Sequence, residues 1–237
     1  MTNGRWVALV MAGLAASAAA QDSAQQQTIG ALARARAVDG QLHSIIALDP
    51  TAIDQARAID ARGARGALAG KPVLIKDNIE AAGPLPTTAG SLALIDNVTG
   101  RDSPLVARLR AAGMVILGKT NLSEWANIRS GKSISGWSAV GGQTRNPFAL
   151  DRNTCGSSSG SGAAVAAGIV DYAIGTETDG SITCPAALNG VVGFKPTVGL
   201  VPRTFIVPIS SSQDTAGPMT RTVRQAAKLL SVIAGSD

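Results

Sequence analysis

Three segments of this sequence carry residue types that could perform nucleophilic chemistry. Lys76 directly follows the apolar run Val73–Ile75, and a segment rich in glycine and serine, residues 156–162, contains Ser157. A second glycine-containing segment, residues 175–181, ends at Ser181. A serine nucleophile needs a base to remove its proton and N–H donors to stabilise the oxyanion that forms. The three segments therefore indicate a serine that attacks a carbonyl group.

The base for such a serine would be a histidine or a lysine. The single histidine, His43, lies in an apolar stretch far in sequence from every segment rich in serine and glycine, which is typical of a structural residue. Lys76 stands at the end of an apolar run that predicts a buried strand, and burial lowers the pKa of a lysine. The alternative is that Lys76 pairs with Asp77 or Glu80, and for Lys76 considered alone this alternative is favoured.

The serine segments have competing interpretations. Residues 156–160 match the G-x-S-x-G pattern with Ser158 as nucleophile, but that fold needs a histidine later in the chain, and none follows. The segment is not a flexible linker, because an apolar helix is predicted directly after it. It is not a P-loop either, because no Gly-Lys-Ser/Thr ends its run of glycines. No lysine has a serine three residues before it, which excludes the S-x-x-K pattern. Ser181 could equally be the N-cap of a helix.

Alternating strand and helix signals surround these segments. They predict an α/β fold in which helices cover both faces of a sheet. Predicted strands are residues 72–75, 114–117 and 172–175, and predicted helices are residues 28–38, a helix capped by Asp49, a helix capped by Ser103, residues 163–167, and a helix whose capping box is Thr222 with Gln225.

Composition and charge narrow the function classes. The chain has 237 residues and a net charge of +5, but its basic residues are scattered and only 3% of residues are aromatic. Nucleic-acid binding is therefore not expected. No cofactor is expected, and no metal site either, because Cys155 and Cys184 lack a second ligand at suitable spacing. These two cysteines could pair in an oxidising compartment or remain two buried thiols.

The N-terminus is typical of a secretory signal. Residues 1–20 combine Arg5, an apolar run at 6–16 and the small residues Ser17 to Ala20. Cleavage there would make Gln21 the first residue of an exported, periplasmic or extracellular protein without a stable membrane span. The remaining residues, 21–237, read as one domain.

The segments that contain Lys76, Ser157 and Ser181, taken in their order along the chain, resemble motifs of the amidase signature family. The segments that carry the resemblance are Val73–Asn78, Gly156–Gly160 and Gly180–Ser181, with Gly118–Asn127, Gly190–Thr197 and Ser212–Pro218 as further matches. The resemblance runs from about Ile29 to the last residue. It implies the amidase-signature fold, with a mixed β-sheet covered by helices on both faces. Because family members are much longer, the fold is expected here in truncated form, as the N-terminal portion.

By this resemblance, Ser181 is the acylated nucleophile, Ser157 is a bridging serine after a cis peptide bond from Gly156, and Lys76 is the base. The backbone N–H groups of the turn that ends at Ser181 would form the oxyanion hole. Residues implied to lie against the oxyanion or the substrate are Thr178, Asp179, Gly180 and Ala126.

The resemblance also implies a substrate class. Segments 176–181 and 123–127 look most like those of peptide-amidase-type members, which remove ammonia from a C-terminal carboxamide. A small-molecule or peptide amide is thus the expected substrate, and the oligomeric state is left open. One alternative is a truncated, non-catalytic remnant or binding protein of the same fold. Another, less favoured, is one of the subunits of an amidotransferase, since an exported protein does not meet tRNA.

Overall fold

A computed structural model describes residues 22–236 of the chain, so the predicted signal segment lies outside the described residues. The helices are α1 (Ala24–Leu42), α2 (Ala52–Ala61), α3 (Pro104–Ala111), α4 (Ser159–Ala166), α5 (Thr183–Leu188) and α6 (Val223–Ile233). The strands are β1 (Ile45–Leu48), β2 (Pro72–Lys76), β3 (Val115–Thr120), β4 (Trp137–Ser138), β5 (Gly142–Gln143), β6 (Arg145–Asn146), β7 (Ala149–Asn153), β8 (Tyr172–Glu177), β9 (Val192–Gly193) and β10 (Thr215–Thr220).

Six of these strands form one mixed sheet in the order β1-β3-β2-β8-β10-β9. Strand β2 runs parallel to both of its neighbours, β3 and β8, whereas the other three pairings are antiparallel. All five residues of β2 are buried, as expected for a continuous apolar run in a strand covered on both faces. The four short strands β4 to β7 form two small hairpins that the sequence did not predict.

Helices cover both faces of the sheet, which confirms the predicted fold class. Leu74 of β2 packs in a core with α1, α2, α4 and α5, while its neighbours Val73 and Ile75 pack in a second core with α3 and α6. Successive side chains of a strand point to opposite faces. Lys76 therefore shares the face of Leu74, where α4 begins.

Two predicted helix starts are wrong by a few residues. The first helix extends well beyond residues 28–38, and it begins with a capping box between Ser23 and Gln26 that was not recognised in the sequence. Asp49 is not an N-cap. Its carboxylate accepts hydrogen bonds from the Thr51 N–H and hydroxyl and from Gln55, so the chain makes a turn through Pro50 and α2 starts two residues later than predicted.

The other predicted elements form, with altered ends. Helix α4 begins inside the serine-rich segment at Ser159 rather than at residue 163. The predicted cap at Ser103 and the capping box of Thr222 with Gln225 are both confirmed. In α6, Ala226, Leu229 and Ile233 make the buried stripe, while Val223 at the start of the helix is exposed.

Candidate active site

Lys76 ends β2 with its side chain fully buried. Its Nζ donates to Ser157 Oγ over 2.7 Å, to Thr176 Oγ1 over 2.9 Å and to the Thr176 carbonyl over 3.2 Å. Burial lowers the pKa of Lys76 from 10.5 to about 7, although the negative charges of Glu177 and Asp214 act in the opposite direction. A lysine in this environment can exchange a proton near neutral pH.

The carboxylates next to Lys76 in sequence pair with other residues. Asp77 Oδ1 lies 3.8 Å from the ammonium of Lys119, and Glu80 pairs with Arg101 over 2.5 Å. The reason is geometric, because Asp77 points to the opposite side of the sheet from Lys76. The alternative in which Asp77 or Glu80 neutralises Lys76 is therefore wrong.

Ser157 is buried at the entrance to α4, and the Gly156–Ser157 peptide bond is cis. The Ser157 carbonyl accepts from the Ser123 N–H over 3.1 Å. Three residues later, Gly160 lets α4 approach the sheet closely, since a Cβ at this position would lie 2.1 Å from the Ser44 carbonyl oxygen. Close packing at the start of α4 thus fixes the loop that carries Ser157.

The competing nucleophile Ser158 has a structural role. Its hydroxyl donates to the Thr176 carbonyl over 3.0 Å and accepts from the Thr176 N–H over 3.1 Å, so α4 is fastened to β8. The chain's single histidine, His43, is exposed at the end of α1, and its carbonyl accepts from Asn121 and Thr144. These contacts do not support a Ser-His arrangement around Ser158.

Ser181 follows β8 at the end of a turn and is 8% exposed. The turn needs Gly180, whose φ of +74° lies in the left-handed region. The Glu177 carboxylate holds the far side of the turn by accepting from the N–H groups of Ile182 and Thr183 over 2.7 and 2.8 Å. Ser181 is not an N-cap, because Ile182 occupies that position in α5.

The loops of the two serines meet through their backbones. The Ser158 N–H donates to the Ser181 carbonyl over 3.0 Å. Lys76, Ser157 and Ser181 are thereby brought to one end of strands β2 and β8. Since β2 and β8 are parallel neighbours, their carboxyl ends lie at the same edge of the sheet.

The predicted oxyanion-hole residues lie between β8 and Ser181. None of the hydrogen bonds among residues 22–236 is donated by the backbone N–H groups of Thr178, Asp179, Gly180 or Ser181. The Thr178 hydroxyl donates to Asp214 Oδ1 over 2.6 Å, which anchors the start of this segment to the residue before β10. N–H groups without a protein acceptor are the kind of donor that an oxyanion requires.

Ala126 lies in an unusual stretch of backbone. Trp125, Ala126 and Asn127 have φ values of 50°, 52° and 68°, a run of left-handed residues without a glycine. Ala126 lines a small cavity beside Asn78 and Ala89, and its N–H donates to the Ser123 carbonyl. Sparsely populated backbone conformations of this kind cluster at ligand sites.

A larger cavity, of about 280 Å³, opens at the end of β8; Lys76, Ser157 and Ser181 do not line it themselves. Its walls come from Asn78, the end of β8 and the segment before β10, and they mix polar and apolar side chains: Asn78, Thr176, Glu177, Thr178, Arg203, Thr204, Ile206, Val207, Pro208, Ile209, Ser211, Asp214 and Thr215. Thr176 reaches both this cavity and Lys76 Nζ. Thr176 and Asp214 lie in motifs that the sequence singled out, yet neither received a role there.

The two cysteines form a disulfide, which decides between the alternatives left open by the sequence. Cys155 and Cys184 have Cα atoms 5.9 Å apart. Among the described residues, no group of three or more His, Cys, Asp and Glu side chains is placed to hold a metal ion. Residues 22–236 also contain no helix that is both long and apolar enough to cross a membrane.

Comparison with known proteins identifies the family of this chain and several of its relatives. A family model described as Amidase matches residues 28–237. A probable amidase of Arabidopsis thaliana is 50% identical over 202 residues, which are 83% of this chain and 40% of the relative. A subunit of the glutamyl-tRNA(Gln) amidotransferase of Acidothermus cellulolyticus is 47% identical over 230 residues, which are 94% of this chain and 44% of the relative.

Among solved structures, the native peptide amidase of Stenotrophomonas maltophilia is 56% identical and superposes with a TM-score of 0.88. The match covers 91% of this chain and 45% of the peptide amidase. The chain thus spans less than half the length of these relatives.

Proposed function

Because this chain belongs to the amidase signature family, we propose that its protein is a serine hydrolase that cleaves the carbon–nitrogen bonds of amides. The observation that carries the proposal is the buried hydrogen bond of 2.7 Å between Lys76 Nζ and Ser157 Oγ. A lysine with its pKa lowered to about 7 is able to act as a base at neutral pH.

The proposed reaction begins with proton transfer. Neutral Lys76 takes the hydroxyl proton of Ser157 while Ser157 takes that of Ser181, and Ser181 Oγ forms a bond to the carbonyl carbon of the amide. The backbone contact between Ser158 and Ser181 supports this relay, since it holds the two serine loops against each other. Accurate placement of reacting groups makes a large contribution to such a step.

The tetrahedral intermediate places a negative charge on the former carbonyl oxygen. The free N–H groups of residues 178–181 are proposed to stabilise this charge. The proton held by Lys76 returns through Ser157 to the leaving nitrogen, the carbon–nitrogen bond breaks, and the amine departs. Water then attacks the acyl carbon and gives its proton through Ser157 to Lys76. The bond between Ser181 Oγ and the acyl carbon breaks, the carboxylic acid leaves, and the returning proton restores the Ser181 hydroxyl.

For the substrate, we propose amides that include C-terminal amides of peptides. The likeness to a peptide amidase at 56% identity supports this class. The cavity of about 280 Å³ supports it as well, because its apolar residues, such as Ile206 and Pro208, could contact a side chain of the acyl part. A subunit of the glutamyl-tRNA(Gln) amidotransferase of Symbiobacterium thermophilum, 48% identical, supports a second and less favoured candidate, in which the protein is a subunit of an amidotransferase.

Export is part of the proposal. Residues 1–20 have the composition of a secretory signal, and a protein outside the cytoplasm has no access to tRNA. Cell fractionation with N-terminal sequencing tests this point. A mature chain beginning at Gln21 outside the cytoplasm is expected, and an uncleaved chain in the cytoplasm would contradict export and favour the amidotransferase candidate.

The test of the reaction uses the full-length gene product and a fluorophosphonate, which labels activated serines. We expect label on Ser181 and release of ammonia from a peptide amide, with both lost in Ser181→Ala. The matched control is Ser159→Ala, since the Ser159 hydroxyl is buried without a hydrogen-bond partner among the described residues. Label that persists in Ser181→Ala, or that is lost equally in both variants, would refute the assignment.

A further inference from the structure

The disulfide between Cys155 and Cys184 joins the loop that carries Ser157 to the start of α5, just after the turn that carries Ser181. Cys155 lies two residues before Ser157, and Cys184 lies three residues after Ser181. The bond therefore closes a covalent link from the Ser157 loop to the residues just after Ser181, across the gap that the proton must pass in the proposed reaction.

Hydrogen bonds also hold these loops together. They are the backbone bond from Ser158 to Ser181, the two bonds between the Ser158 hydroxyl and the backbone of Thr176, and a bond of 3.1 Å from the Asn189 side chain to the Thr154 carbonyl. Residues 154–158 precede α4 and residues 178–182 precede α5; Cys155 lies in the first of these loops, and Cys184 is the second residue of α5. A covalent link here restricts the motion of the loop that carries Ser157 relative to the first turn of α5, which directly follows Ser181.

The disulfide lies outside the hydrophobic core, so breaking it should not disturb the packing of the core. Neither cysteine belongs to the two clusters of buried apolar residues that cover the faces of the sheet. Both cysteines are partly exposed, so a small reductant can reach the bond. Opening it should loosen the two loops while the sheet and its helices stay in place.

We propose that the Cys155–Cys184 disulfide is a positioning element that keeps Ser157 and Ser181 aligned, so that the protein reaches full turnover only in its oxidised state. This inference rests on the proposed function of the two serines. Reduction transfers two electrons and two protons from a dithiol to the disulfide, which yields two thiols and the oxidised dithiol. The active state would then form in an oxidising compartment, such as the one that the signal segment predicts.

The experiment compares the full-length protein before and after reduction by dithiothreitol, with mass spectrometry to establish the state of both cysteines. We expect the rate of fluorophosphonate labelling of Ser181 and kcat to fall by about 10- to 100-fold, because misplacement of a catalytic group by about 1 Å has effects of this size. The KM should change little, and reoxidation should restore the rate. A purely structural role would instead lower the fraction of folded protein, which circular dichroism measures.

The control is the double variant Cys155→Ala/Cys184→Ala, which should react slowly and show no response to dithiothreitol. If this variant fails to fold, the reduced natural protein, measured below its melting temperature, still decides the question. A labelling rate within twofold of the oxidised rate, with both thiols free, would overturn the proposal.

A second readout distinguishes failure of this inference from failure of the proposed function. If even the oxidised protein shows no label on Ser181, the proposed function fails. Hydrogen exchange at residues 154–158 and 178–183 then decides on the disulfide: at least tenfold faster exchange on reduction, confined to these segments, supports its positioning role, and unchanged exchange refutes it.

Discussion

The buried amine of Lys76 sets the pH at which the proposed hydrolase becomes active. The base must be neutral to accept a proton, and burial lowers its pKa to about 7. We therefore expect kcat/KM to fall roughly tenfold for each pH unit below 7 and to reach a plateau above about pH 8. At pH 6 only about a tenth of the molecules would carry a neutral Lys76.

The assay is the rate of ammonia release from a peptide amide at low substrate concentration, between pH 5 and pH 9. Asp214→Asn provides a second test of the cause, because the charge of Asp214 raises the pKa of Lys76. Removing that charge at nearly constant shape should move the break in the profile to lower pH. A break that stays in place in Asp214→Asn, or a rate that does not depend on pH, would refute the assignment of Lys76 as the titrating base.

Four further variants test the site and its supports. Lys76→Arg should lower turnover by about 10²- to 10⁴-fold in the same ammonia assay, because arginine stays protonated, and an active variant would contradict the base. Because the pKa of Lys76 is lower in the folded than in the unfolded chain, the unfolded chain binds more protons, and the free energy of unfolding should rise between about pH 7 and 10.5. Urea unfolding of Lys76→Met should show a flatter rise over the same pH range. Replacing Cys155 and Cys184 together by alanine should lower the free energy of unfolding by about 3–4 kcal/mol, as the bond closes a loop with a sequence separation of 29; an unchanged urea midpoint would contradict this. Gly160→Ala places a Cβ 2.1 Å from the Ser44 carbonyl oxygen and should cost about 1–3 kcal/mol in the same measurement, whereas a neutral effect would show that α4 can shift.

The sequence predicted the three adjacent strands β3, β2 and β8, because they are largely apolar runs, but it did not predict β1, β9 and β10 of the same sheet. Strand β2 and the position of Lys76 at its end follow directly from Val73–Ile75, since such a run fits a strand buried on both faces. The strands were predicted too short at their carboxyl ends. Polar residues such as Thr176 and Glu177 still belong to β8, because the sheet continues into the site.

Side-chain partners could not be predicted in the same way. The sequence places Asp77 next to Lys76, yet alternation along the strand sends the two side chains to opposite faces, and Asp77 meets Lys119 instead. Thr176 lies 100 positions from Lys76, so its contact with the amine depends on the pairing of β2 with β8. The roles of Lys76, Ser157 and Ser181 stay predictions, based on motif order and on the geometry of the site.

The parallel pairing of β2 with β8 has a consequence for the order of events during synthesis and folding. Leu74 lies beside Ala173, so the strand that ends in Lys76 can pair early with β3 but must wait for its second partner, β8, made about a hundred residues later. Pairings with such large sequence separation form slowly, because a long loop has to close first. A nascent chain that has emerged only through β3 contains Lys76 but not the residues that bury it. Its amine is then exposed to water and protonated, and the growing polypeptide has neither a neutral base nor the serines Ser157 and Ser181.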